Sequence, residues 1–133
     1  NHIQYMNNWD LIDSSAHKIL GVYLLDKDPK ILYDFAYSDN LWLQRVGMIS
    51  TFHFIRNFEF KDTFEIAKIL LHHDHHLIHK AVGWMLREVG NRDFQKAYKF
   101  LKIHYSEMPR TMLRYAIEKY PEETRQDFLK GRK

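Results

Sequence analysis

The sequence predicts an all-α protein, an α-solenoid of about four pairs of antiparallel helices in one domain over residues 1–133. Three observations predict it. Apolar residues recur at the 3.6-residue spacing of amphipathic helices along most of the chain, and no stretch reads as a strand hairpin. Helix starts near residues 9, 41, 77 and 109 are separated by 32, 36 and 32 residues, each followed by a second helix. That period belongs to two-helix repeats that stack around one concave face. The composition, 45% hydrophobic and 15% aromatic over 133 residues, is enough for a single buried core.

The elements follow in order. In Asn8-Trp9-Asp10-Leu11-Ile12-Asp13, Asn8 suits an N-cap and Asp10 lies in the first turn, where a carboxylate meets the positive end of the helix dipole. The apolar stripe then runs through Ile12, Ala16, Ile19, Leu20, Tyr23 and Leu24 until Asp26 to Asp28 breaks it. Pro29 fits the first turn of a second helix with Ile31, Leu32, Phe35 and Ala36. Ser38-Asp39-Asn40 precedes a helix with Leu41, Trp42, Arg45, Val46, Met48, Ile49, Phe52 and Ile55, expected to end near Asn57. Asp62 or Thr63 opens the fourth helix, and the stretch from Leu71 to His76 interrupts the pattern. The fifth carries Leu77, Ile78, Ala81, Val82, Trp84, Met85 and Val89, with Gly90 expected as its C-cap. The sixth begins near Asp93, Pro109 starts the seventh, and Pro121 cuts it and begins the eighth around Phe128 and Leu129.

The absence of cysteine excludes disulfides, thiolate catalysis and thiolate metal sites. No apolar run approaches the roughly 20 residues of a membrane span, so a soluble, cytoplasmic protein is expected. The start at Asn1 leads us to expect the C-terminal part of a longer protein. Net charge is +3 but uneven: residues 1–60 hold 5 Lys/Arg and 7 Asp/Glu, residues 61–133 hold 15 and 10. The C-terminal half is the candidate for contacting a polyanion.

Trp9 and Asp13, one turn apart, put an indole and a carboxylate on the same side of a helix. Such a pair can make a site, but by themselves the two residues read rather as a core tryptophan and a solvated carboxylate pairing with His17. Trp42 with Arg45 and Trp84 with Arg87 repeat the association of indole and charge at comparable places in later repeats. Such side chains either fill the seams between repeats or offer guanidinium to phosphate and indole faces to sugar or a cationic base. Five histidines at 72, 73, 75, 76 and 79 lack an acidic third ligand at convincing spacing and read as solvated turn residues, with no metal expected. There is no Gly-rich phosphate loop, nucleophile elbow or metalloprotease pair.

Four blocks, taken together, resemble the AlkD-like DNA alkylation repair family. They are Asn8 to Asp13; Leu41-Trp42-Leu43-Gln44-Arg45 with Ser50-Thr51-Phe52 and Phe54-Ile55-Arg56; Ile78 to Gly90; and Met108 to Ala116. The resemblance implies a HEAT-like solenoid acting as a glycosylase on N3- and N7-alkylated purines in duplex DNA, without metal or organic cofactor and as a monomer. It implies that Asp13 is the catalytic carboxylate, that Trp9 and Trp84 pack against the lesion's sugar and backbone, and that Arg45 lies near the phosphate. Arg87 matches a further DNA-contacting residue, and Arg110 and Arg114 in the last block are expected to contribute to DNA binding. Members of the family carry further N-terminal repeats that complete the cleft. The competing expectation is a non-catalytic helical-repeat module that binds DNA or protein.

Overall fold

The computed structural model describes residues 29–131. Among the described residues every regular element is helical. They comprise α1 (Lys30–Tyr37), α2 (Leu41–Ser50), α3 (Phe52–Ile55), α4 (Lys61–Leu70), α5 (His76–Arg92), α6 (Phe94–His104), a 3₁₀ turn (Tyr105–Glu107), α7 (Arg110–Ala116) and α8 (Glu122–Leu129). The first expected helix, from Trp9, lies outside the described residues.

Two rows of helices result. α2, α5 and α7 pack side by side in chain order, and α1 and α4 form the row behind them, each also touching its partner in the front row. The back row continues where Phe64 of α4 stacks on Phe100 of α6, with ring centroids 4.9 Å apart. It ends where Phe128 of α8 meets the ring edges of Tyr98 and Tyr105. This is the α-solenoid arrangement that the 32- to 36-residue period predicts. Its core is continuous from Leu32 to Phe128. Tyr33 donates to Asp62 Oδ1 at 2.5 Å, tying α1 to α4; burial, then this bond to a carboxylate, pushes the phenol pKa up.

Helix starts follow the capping chemistry of the sequence. Asn40 accepts the Leu43 amide at 3.0 Å and Asp93 accepts that of Lys96 at 3.2 Å, while Pro29, Pro109 and Pro121 each sit immediately before a helix. The structure differs from expectation in three places. The third expected helix is broken at Thr51, whose hydroxyl donates to Met48 O at 2.7 Å while its amide makes a tightened bond to the same carbonyl. It then terminates beyond α3 as expected near Asn57: Phe58 takes the left-handed conformation (φ 60°), and the amides of Phe58 and Glu59 reach back to Ile55 and Phe54.

Gly90 is not a C-cap. α5 runs through it to Arg92, and the cap is Asp93, whose amide donates to Val89 O at 2.7 Å. The histidine stretch, thirdly, is not simply solvated. His73, His75 and His79 are half-buried, His73 Nε2 meets Gln44 Oε1 at 2.9 Å, and His75 is the N-cap of α5, accepting the Leu77 amide at 3.1 Å. No described helix is long and apolar enough to cross a membrane.

Candidate functional site

Trp9 and Asp13 lie outside the described residues. The other expected site residues are spread over the front row. Trp84 and Arg87 lie on α5, where the turns that carry Ile78, Ala81, Val82 and Met85 face the core and leave Lys80, Trp84, Arg87, Glu88 and Asn91 at the surface or half-buried. Trp84 is fixed at both ends. Its Nε1 donates to Glu88 Oε2, one turn on, at 3.2 Å, and its ring lies 6.4 Å from that of Phe52 on α3. Arg87 reaches sideways to an ion pair with Glu118, just beyond α7. Arg114 is exposed on α7 itself.

Arg45 and Arg110 stand apart from this group. Arg45 is buried, 9% exposed, with Nη1 donating to Leu77 O at 3.1 Å; it joins α2 to the first turn of α5 from within. Arg110 donates to Leu129 O at 2.6 Å and so satisfies a terminal carbonyl of α8. Trp42 is half-buried in the front row, and among the described residues its buried Nε1 has no hydrogen-bond partner.

A second group beside Trp84 was not singled out from the sequence. Glu88 holds Trp84 with one carboxylate oxygen and Arg92 with the other, at 2.8 Å from Nη1. The Arg92 guanidinium lies over the Phe52 ring, 5.5 Å from its centroid, and that of Arg56 lies over the same ring at 5.9 Å. The circuit Trp84, Glu88, Arg92, Phe52 and Arg56 thus joins α5 to α3 and the residue after it. Its signal in the sequence is the one-turn spacing of Trp84, Glu88 and Arg92, and of Phe52 and Arg56. Nothing in the sequence alone shows that the two turns meet.

The histidine turn offers a different chemistry. The backbone amide of His75 donates to His73 Nδ1 at 3.0 Å, so the proton of that ring is on Nε2, facing Gln44. His79 Nε2 meets His73 O at 2.5 Å. Burial first, then the charges of His75 and His79, hold the His73 pKa below its ordinary value. Among the described residues no group of three or more His, Asp or Glu side chains is placed to hold a metal ion.

Compared with known protein families, residues 1–120 match the family of DNA alkylation repair enzymes. The chain belongs to that family. A search of curated proteins and one of solved structures find no match. The matched segment takes in Trp9, Asp13, Arg45, Trp84, Arg87, Arg110 and Arg114, and ends just before α8. Membership in the family implies a role in the repair of alkylated DNA, with DNA as the substrate. For a polyanionic substrate, the front-row surface around Trp84 has the composition required: an indole held by its Nε1, and guanidinium groups on α5, α7 and beside α3.

Proposed function

We propose that the chain is a DNA glycosylase that hydrolyses the N-glycosidic bond of 3-methyladenine, 7-methylguanine and related N3- or N7-alkylated purines in duplex DNA, with Asp13 as its catalytic carboxylate. The observation that carries the reading is the family match over a segment that contains both Trp9-to-Asp13 and the Trp84 surface.

The chemistry suits these residue types. Alkylation at N3 or N7 makes the purine cationic, so it departs as a neutral base, and the step calls for no metal or organic cofactor. Positive charge then develops on the sugar. A carboxylate aimed at that oxocarbenium character stabilises it and can orient the attacking water. Indole faces from Trp9 and Trp84 attract the cation and exclude bulk water. With Nε1 held by Glu88 and its ring beside Phe52, Trp84 is ordered before substrate arrives, which lowers the entropy cost of positioning. In this reading lesion selection comes from the charge and weakened bond of the base rather than from turning it into an enclosed pocket, as many glycosylases do. Arg45, Arg87, Arg110 and Arg114 contribute phosphate attraction, and the enzyme acts as a monomer.

The test is release of 7-methylguanine from methylated duplex DNA under single-turnover conditions. Asp13→Asn keeps the side chain's size but removes its charge, and the rate is expected to fall about 10²- to 10³-fold, roughly 3–4 kcal/mol. Duplex affinity should persist, since the carboxylate that Asn replaces repels phosphate. A variant as fast as the parent would overturn the assignment of Asp13 and direct attention to Asp10. The comparison is made on the chain extended by the N-terminal repeats that complete the family's cleft, since these 133 residues by themselves need not be active, and an extended parent that binds methylated DNA without releasing base would overturn the glycosylase reading.

A further inference from the structure

We propose that Arg56 and Arg92, held over the ring of Phe52 beside Trp84, form a phosphate-binding pair that grips the DNA backbone next to the lesion; the inference rests on the Trp84 surface being the one that meets DNA. Two guanidinium groups lie against one aromatic ring, at 5.9 and 5.5 Å from its centroid, so both charges sit beside the same side chain. The π-face attraction of one ring neutralises neither charge. The carboxylate of Glu88 bonds Arg92. Arg56 is exposed, and its guanidinium meets no hydrogen-bond acceptor among the described residues. The pair therefore retains net positive charge and unspent donors. A guanidinium carries five N–H donors in a planar fork that matches phosphate, and among the described residues Arg92 spends only Nη1, on the carboxylate and backbone carbonyl of Glu88.

Position supplies the rest of the argument. Phe52 contacts Trp84 directly, so the pair adjoins the indole on a shared surface rather than sitting elsewhere on the fold. Glu88 couples the two functions because its two oxygens hold Trp84 and Arg92 at once. A strand lying across Trp84 would meet both guanidinium groups at its backbone, and each phosphate neutralised releases counterions.

Binding of an unmodified duplex, titrated at several salt concentrations, tests the pair separately from catalysis. For each phosphate that is no longer neutralised, the slope of log affinity against log salt should become shallower by about 0.9. Arg56→Gln and Arg92→Gln are each expected to produce that change on every duplex sequence, and together about twice as much, while Arg56→Lys, which keeps the charge, retains the slope. Thermal unfolding of each variant identifies any loss of fold. Slopes unchanged in both Gln variants, with Trp84→Ala or Arg87→Gln still weakening binding, would overturn the pair and leave the surface intact. If the parent binds DNA and none of the four substitutions alters binding, the surface itself is misassigned and the pair falls with it.

Discussion

His75 and His73 show how much a single ring nitrogen decides here. His75 Nδ1 caps α5 through the Leu77 amide, and the His75 amide in turn donates to His73 Nδ1. His73 accepts through a nitrogen that acid would protonate. The pKa of His73 is held below the ordinary value of about 6.5, so the unfolded chain binds its proton first as pH falls. The stabilisation is complete above about pH 6.5 and is lost as pH drops through the lowered folded value. Urea unfolding from pH 7 to 5 should show this decline, and His73→Asn, whose amide oxygen can accept from His75 without titrating, should flatten it. Parallel curves for parent and variant would refute the account. At pH 7, His75→Ala should cost about 1 kcal/mol through loss of the cap, measurable in the same experiment. The sequence places these histidines in a turn, but only the folded arrangement of Gln44, His73 and His79 shows that three of them hold it together.

Glycines separate elements that must touch from those that merely pass. On α5, a Cβ at Gly83 would lie 2.5 Å from Tyr115 Cβ and 2.7 Å from Met112 O of α7, and neither neighbour is a flexible chain end. At Gly90, near the end of the same helix, a Cβ would meet Ala97 Cβ at 3.5 Å, an ordinary contact. Gly83→Ala should therefore force α5 and α7 apart at a cost of about 1–3 kcal/mol. Gly90→Ala should stabilise by about 0.4–1 kcal/mol, because helical backbone there needs no glycine and the unfolded chain loses freedom. Denaturant midpoints on the two variants check the opposed signs, and a stabilising Gly83→Ala would refute the close packing. Helix positions were legible because the apolar period and the caps at Asn40 and Asp93 are local. The two glycines look alike in sequence, and Gly90 resembles a C-cap, because what distinguishes them is the neighbouring helix. The break at Thr51 was hidden for a similar reason: its hydroxyl competes for a carbonyl inside an otherwise continuous apolar stripe.

Across the whole molecule, the repeat period made the row of α2, α5 and α7 predictable, and the family motifs pointed to Trp84 and Arg87 on one surface. The bond from Arg45 Nη1 to Leu77 O was not legible in the sequence, because it depends on how α2 meets α5. A stack of repeats stabilised mainly by contacts between neighbouring helices has a further consequence, that damage at one end stays near that end. Phe128 is 1% exposed, and its ring meets those of Tyr98, Tyr105 and Tyr120, all at the C-terminal end of the stack. Phe128→Ala should remove about 3–5 kcal/mol of local packing. Hydrogen exchange is the measurement that locates the loss. Amides of α6, α7 and α8 should exchange faster by a factor reflecting most of that energy, those of α5 less so, and those of α1 and α4 least. Equal acceleration in α1 and α8 would mean that the chain opens as one cooperative unit, and the nearest-neighbour picture of its stability would be wrong.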